Sequence, residues 1–140
     1  MQFKLKAIIF GSSLATLICG CTTYYFTADS LNNQLAQIDT NAVHQVYDFR
    51  LGVIGVSRGK HFYNAIKEIH VTNKSGDKIT LNVTPHMAVR ITDKNGRHKI
   101  VYFDTMFIKD SLLYGNKSHF INIPIEPFHL KDIAKLELQE

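Results

Sequence analysis

The stretch "MAVRITDKNGRHKIVYF", residues 87–103, contains the clearest strand and turn signals of the chain. Every second residue from Met87 to Ile91 is apolar, which is typical of a strand with one buried face. The five residues from Asp93 to Arg97 include Asn-Gly, the strongest short-range signal of a hairpin turn. A return strand then runs from His98 to Lys109. The stretch therefore predicts an antiparallel hairpin.

The return strand is apolar on both of its predicted faces. One face carries Ile100, Tyr102, Asp104, Met106 and Ile108, and the other carries Val101, Phe103, Thr105 and Phe107. A strand of this kind is either central and covered on two sides, or offers one face to a partner.

The candidate partner-binding residues of this hairpin are Tyr102, Phe103, Asp104, Phe107 and Arg90. Asp104 is the one charge within the aromatic part of the return strand, and Arg90 is the one charge on the outgoing strand. Two interpretations stay open: a cross-strand ion pair in a half-buried sheet, or a pair that orients a ligand.

Further strands are predicted on both sides of this hairpin, separated by short polar turns. Before the hairpin we predict a long or bent strand from Val46 to Val56, a turn at Ser57–Lys60, and a strand from Ala65 to Thr72 with Ile69 and Val71 on one face. A turn at Asn73–Asp77 then leads to a strand with Ile79, Leu81 and Val83 that ends by Pro85. After the hairpin we predict short strands at Leu112–Tyr114 and Phe120–Ile125, and a turn at Leu130–Ala134 before a strand at Lys135–Leu138. Short, regularly spaced strands predict a mainly β fold, an antiparallel sheet that forms a small sandwich or barrel.

One short amphipathic helix is predicted before the strands. Ser30 is a good helix cap, and Leu31, Leu35 and Ile38 fall on one face at helical spacing. A narrow apolar stripe of this kind is typical of a helix that lies on a sheet.

The sequence carries no motif of catalysis or cofactor binding. Its seven histidines never fall at metal-ligand spacing, and no nucleophile elbow, phosphate loop or dinucleotide fingerprint is present. The basic residues are scattered among turns, unlike a nucleic-acid-binding patch. We therefore expect neither an enzyme nor a metal, cofactor or nucleic-acid binder.

The amino-terminal residues are typical of an export signal. A basic start, Met1–Lys6, precedes an uncharged run from Ala7 to Ile18 that is too short to span a bilayer comfortably. At the end of this run, Ile18, Gly20 and Cys21 resemble the lipobox of bacterial lipoproteins. This resemblance implies a diacylglyceryl thioether on Cys21 and cleavage after Gly20. An uncleaved anchor or an ordinary cleaved signal is the alternative.

These features predict a lipoprotein signal peptide at residues 1–20, a lipidated tether at 21–29 and a single β-rich domain at 30–140. Cleavage lowers the basic side chains from 16 to 14 against 12 acidic ones. Threonine after the cysteine resembles proteobacterial lipoproteins sorted to the outer membrane, facing the periplasm. The aromatic run Tyr24–Phe26 fits two places equally well, the bilayer interface or the surface of the domain.

Residues 75–139 also resemble the small β-rich domains of uncharacterised bacterial envelope lipoproteins. The shared features are a hairpin, an aromatic strand, the turn "DSLLYG" and a closing strand. The resemblance implies a fold and no activity.

Two functions are expected from the sequence. The first is a non-catalytic, membrane-anchored module that binds another envelope protein. The alternative is an inhibitor or immunity protein that blocks a hydrolase or toxin, with contact loops at His61–Asn64 or Asn116–His119.

Overall fold

A computed structural model of the chain describes residues 22–39, 43–49, 56–119 and 122–140, and only the backbone of 43–49 and 56–61. The predicted signal peptide and Cys21 lie outside these residues. The described elements are β1 Thr23–Phe26, α1 Ala28–Leu35, β2 Val43–Phe49, β3 Val56–Phe62, β4 Glu68–Thr72, β5 Lys78–Asn82, β6 Ala88–Asp93, β7 His98–Tyr102, a 3₁₀ turn at Phe103–Thr105, β8 Phe107–Lys109, β9 Leu112–Tyr114, β10 Phe128–His129, a 3₁₀ turn at Leu130–Asp132, and β11 Ile133–Gln139.

The strands form three antiparallel sheets. The largest has six strands in the order β5-β4-β1-β11-β6-β7, the second has the order β10-β9-β8, and β2 pairs with β3. The prediction of a mainly β, antiparallel fold with one short helix is confirmed, and the arrangement is sandwich-like rather than a closed barrel.

The core lies between one face of the six-stranded sheet and a second layer made of α1 and the three-stranded sheet. The sheet contributes alternate residues such as Val89, Ile91 and Leu136, and the second layer contributes Leu31 and Leu113, all at most 1% exposed. Period-two burial on β4 and β6 follows from this one-sided packing. The predicted inward positions on these two strands are confirmed.

Strand β1 lies inside the residues that the sequence analysis assigned to a tether. It pairs with β11 from Thr23–Gln139 to Phe26–Leu136 and meets β4 at Tyr25–Thr72, so it occupies the middle of the six-stranded sheet. Of the two places considered for the aromatic run, the structure therefore favours the domain, and ordered structure begins well before Ser30.

Helix α1 begins earlier than predicted because Thr27, not Ser30, caps it. Thr27 is extended, and its Oγ1 accepts a hydrogen bond from the Ser30 N–H at 3.1 Å. The helix follows directly from the end of β1, so the strand sets the position of the cap. Leu31 and Leu35 are buried as expected. Ile38, beyond the helix end, packs against the core edge.

The side chain of Gln34 takes the place of a strand beside β4. Its Oε1 accepts a hydrogen bond from the His70 N–H at 2.7 Å, and its Nε2 donates to the His70 carbonyl at 3.0 Å. These are the two backbone groups that β1 would bond if it continued past Tyr25–Thr72 in the same register. The amide therefore closes the sheet where the chain has turned into the helix.

Two hairpin turns share one construction, and both were predicted. In Asn73–Asp77 the Asn73 Oδ1 accepts the N–H groups two and four residues later, at 2.9 Å each. In Asp93–Arg97 the Asp93 Oδ1 accepts the equivalent two, also at 2.9 Å each. Each turn has glycine at φ of +91° or +80°, in the left-handed region that favours glycine.

The predicted single strand from Val46 to Val56 is wrong. β2 and β3 pair antiparallel from Val43–Phe62 to Phe49–Val56, and the predicted turn Ser57–Lys60 lies within β3. Polar residues and glycine in this segment resemble turn chemistry, but backbone pairing between neighbouring strands overrides this local preference. The expected strand at Phe120–Ile125 is also wrong in its described part, where an isolated bridge joins Asn116 and Pro124.

The long return strand is wrong as well, because the chain leaves the sheet at Phe103. The Phe103 N–H still donates to the Met87 carbonyl at 3.0 Å, but a 3₁₀ turn follows. The Thr105 hydroxyl donates to the Tyr102 carbonyl at 2.8 Å and stabilises that turn. β7 pairs only with β6 in the described sheet, so it is an edge strand and not a central one. Beyond its end, Phe103 and Met106 are both buried.

Candidate functional site

An aspartate-histidine pair lies where the chain turns after β7. The His119 Nε2 is 2.8 Å from the Asp104 Oδ1, and the two side chains are 18% and 19% exposed. The Tyr102 ring lies 3.9 Å from the imidazole, between ring centres. Tyr63 is also close and donates from its hydroxyl to the His119 carbonyl at 3.0 Å. We call Tyr63, Tyr102, Asp104 and His119 the Asp104 cluster.

The backbone around Asp104 is held by Asn64, which is itself buried. The Asn64 N–H donates to the Asp104 carbonyl at 2.6 Å, and its Nδ2 donates to the carbonyls of Phe103 and Met106. These bonds satisfy carbonyls that the 3₁₀ turn leaves without strand partners. The segment before β4 therefore fixes the backbone that carries Asp104.

Burial, and then the negative charge of Asp104, raise the pKa of Tyr63 above its ordinary value of 10.0. The phenol therefore stays protonated and remains a hydrogen-bond donor. The Asp104 cluster thus combines a carboxylate, an imidazole and a phenol within an aromatic frame, which suits hydrogen bonding to a polar partner group. No group of three potential metal ligands was found among the described residues.

A second aromatic contact adjoins the Asp104 cluster. Phe107 lies between Phe62 and Tyr114, with ring centres 4.7 Å apart on each side, and its ring is parallel to that of Tyr114. Because Phe62 and Tyr63 are consecutive in the chain, the end of β3 contributes one ring to each group.

The structure separates the five residues that were predicted to bind a partner. Tyr102 and Asp104 belong to the Asp104 cluster, and Phe107 belongs to the neighbouring stack. Phe103 is fully buried in the core, so its side chain is closed to a partner.

Arg90 and Asp104 form no ion pair among the described residues, so the cross-strand interpretation is wrong, and the interpretation of a ligand-orienting pair stays a prediction. In the sheet Arg90 stands opposite Ile100 on β7 and opposite Glu137 on β11. The Arg90 Nε is buried and has no hydrogen-bond partner among the described residues. The cross-strand prediction failed because the two residues are out of register: with Arg90 opposite Ile100, position 104 would stand opposite position 86 even in a continuous strand. The true partner, His119, is 15 residues away along the chain, and no local motif marks it.

The outer edge of β7 presents backbone groups without a strand partner in the described sheet. The Tyr102 N–H points outward, since it donates to the Asn116 carbonyl at 3.0 Å. In an antiparallel strand every second residue points its N–H and C=O to the same side, so His98 and Ile100 point outward too. The side chain of Ile100 is exposed, at 48%.

A cavity of about 490 Å³ runs beside this edge. It is lined by β7 together with His86, Ala88 and Lys117. The ammonium group of Lys99 points toward Glu126, with the Nζ 3.5 Å from the carboxylate oxygen. We call the outward backbone of His98 and Ile100, with this cavity, the β7 edge.

No family model, curated protein or solved structure matches this chain. Among the described residues no helix has the length and apolar character needed to cross a membrane. The features that bear on function are the lipobox-like sequence, the Asp104 cluster and the β7 edge.

Proposed function

We propose that the protein is a lipid-anchored envelope lipoprotein that binds another envelope protein without catalysis. The anchor is a lipidated Cys21, on the outer membrane and facing the periplasm, and the contact is the β7 edge. The lipobox-like residues behind a basic and apolar leader support the anchor. The single observation that supports the contact is the row of outward backbone groups on β7.

An open strand edge is a template for strand addition by an extended peptide. Backbone groups of His98 and Ile100 supply the main-chain hydrogen bonds, and the exposed Ile100 side chain supplies an apolar contact. Proteins usually protect an edge with lysine or proline. The other edge strand, β5, begins with the exposed Lys78, whereas the one lysine of β7, Lys99, is paired with Glu126. We therefore place the partner on β7.

Proline substitution at one outward position on each edge provides a matched test. Ile100 points its N–H away from β6, so Ile100→Pro removes no hydrogen bond within the sheet and blocks an added strand. The backbone of Thr80 on β5 is placed in the same way, because Thr80 stands opposite His70, whose backbone groups bond to Gln34 and not to β5. Its substitution also removes the 2.9 Å side-chain hydrogen bond between the Thr80 Oγ1 and the His70 Nδ1. Thr80→Pro is therefore the control for the opposite edge.

The assay is affinity capture from detergent-solubilised envelope, with quantification of captured proteins by mass spectrometry. We expect a resident envelope protein to be captured by the wild type and by Thr80→Pro and to be lost with Ile100→Pro. A Cys21→Ala form tests the need for the anchor. Equal capture by both proline variants, or equal function of the unanchored form, would contradict the proposal.

The inhibitor alternative also has one specific observation in its favour. The two loops expected to contact a target, His61–Asn64 and Asn116–His119, are joined in the structure by the hydrogen bond from the Tyr63 hydroxyl to the His119 carbonyl. Under this alternative the captured protein is a hydrolase or toxin, and adding the lipoprotein inhibits it. His119→Ala should then abolish inhibition while Ile100→Pro leaves it intact, the reverse of the pattern for strand addition.

A further inference from the structure

The distance between the proposed anchor and the folded sheet is very short. Only Thr22 separates Cys21 from Thr23, the first residue of β1. Two residues of extended chain span at most about 7 Å. The polar headgroup region of one leaflet is roughly 5–8 Å thick. A lipidated Cys21 would therefore hold the first residue of a central strand at the level of the headgroups.

The strand register shows which part of the sheet surrounds Thr23. Thr23 stands opposite Gln139, the last residue of β11, and Gln139 stands opposite Ala88, the first residue of β6. Ala88 in turn faces Tyr102, the last residue of β7. On the other side of β1, β4 ends at Thr72 and leads into the turn Asn73–Asp77. We call this side of the sheet the anchor end.

The opposite side of the sheet is the far end, and it includes the turn Asp93–Arg97. β11 spans seven residues between the two ends, a length of about 20 Å. A free tether would let the domain tumble, and the ends would then be equivalent on average. With β1 in the middle of the sheet, no such tether is available.

We propose that this short connection holds the anchor end of the domain against the phospholipid headgroup layer. This inference rests on the lipidation of Cys21 in the proposed function. The far end then points away from the membrane, and β7 runs along the membrane normal with Tyr102 near the bilayer and His98 away from it. A segment added to β7 would therefore stand upright on the membrane.

The two similar hairpin turns provide a matched pair of probe sites. Ser75 and Asn95 occupy the same place in their turns, both are exposed, and each donates its backbone N–H to the turn's first side chain. Neither residue's own side chain takes part in those bonds. After cleavage and lipidation the protein has no other free thiol, because the chain has only two cysteines, Cys19 and Cys21. Ser75→Cys and Asn95→Cys each accept one fluorophore.

The experiment uses the lipidated full-length mature protein in vesicles of phosphatidylethanolamine and phosphatidylglycerol that contain lipids with a nitroxide on the headgroup. Quenching needs close approach, and the probes differ in height by about 20 Å. We expect at least about twofold more quenching at position 75 than at position 95, from the thickness of the headgroup layer. Equal quenching, or more at position 95, would overturn the orientation.

A second variant tests the role of the short connection. Ten Gly/Ser residues inserted between Thr22 and Thr23 have a root-mean-square span of about 18 Å, close to the length of the sheet. We expect the difference between the two probes to shrink, because the orientation depends on the short connection; a difference that persists would overturn that role of the connection. Mass spectrometry of the amino-terminal peptide separates the two failures. An unmodified Cys21 overturns the anchor and the orientation together, whereas a lipidated Cys21 with equal quenching overturns the orientation alone.

Discussion

Replacing Gln34 tests whether one side chain completes the central sheet. In Gln34→Ala, the His70 N–H and C=O lose their two partners, which lie at 2.7 and 3.0 Å. A protein hydrogen bond contributes a net 0.5–1.5 kcal/mol or so to stability. Because the site is partly exposed, water replaces some of this, and alanine favours the helix slightly. We therefore expect the free energy of unfolding to fall by about 1–2 kcal/mol.

The assay combines urea unfolding with amide hydrogen exchange on the mature chain carrying Cys21→Ala. The local signature is faster exchange of the His70 N–H, with little change at Ile69, whose backbone points to β5. Asn33→Ala is the control, since Asn33 is an exposed residue of the same helix.

Gln34→Glu gives an intermediate step in the same series. The carboxylate still accepts the His70 N–H but cannot donate to the His70 carbonyl. The loss in free energy of unfolding for Gln34→Glu should be larger than that for Asn33→Ala and smaller than that for Gln34→Ala. Refutation is direct: a His70 amide that stays protected in Gln34→Ala, or a stability loss no larger than that of Asn33→Ala, means that the amide does not act as part of the sheet.

Three further predictions concern the turn and core residues. Burial opposes ionisation of Asp93, but hydrogen bonds from the Arg97 side chain and from turn N–H groups outweigh it and hold the pKa of Asp93 below its ordinary 3.8. On acidification the carboxyl of the unfolded chain therefore takes up its proton first, so the free energy of unfolding falls as the pH drops below about 4. Asp93→Asn should reduce that fall, measured as urea midpoints from pH 6 to pH 2. Phe103→Ala, at a fully buried ring, should lower the free energy of unfolding by about 3–5 kcal/mol in the same assay, and a small loss would mean that Phe103 is not a core residue. Gly115→Ala places a methyl 3.0 Å from the Val101 Cβ and should destabilise by about 1–3 kcal/mol, whereas a neutral result would show that β9 shifts easily.

Local patterns predicted the parts of the sheet that have one buried face. The alternation around Ile69, Val89 and Ile91 corresponds to observed burial, because side chains on a strand alternate strictly between the two faces. Both hairpin turns were also predictable, since an asparagine or aspartate acceptor followed three residues later by a glycine is a local signal. These features depend on neighbours in the chain.

The predictions failed where distant segments compete with local preference. The return strand ends at Phe103 because Asn64 and Thr105 stabilise a 3₁₀ turn, and neither interaction is visible in the alternation of residues. After this turn Asp104 meets His119, while the hairpin register places Arg90 opposite Ile100 and away from Asp104. The candidate site was therefore only partly predictable: the aromatic residues could be named, but their partners could not.

Residues close together in the chain specify the β-rich class, the two glycine-containing hairpin turns, the inward faces of β4 and β6, and the lipobox-like motif. Long-range pairing, in contrast, makes Thr23–Phe26 a central strand, leaves β7 at an edge, and puts Gln34 in place of a strand beside His70. The physical reason is that a strand's place in a sheet depends on which remote backbone groups remain unpaired, and this is a property of the whole fold. Because β1 is a central strand, a lipid on Cys21 would hold the whole sheet, and not a free tether, close to the membrane.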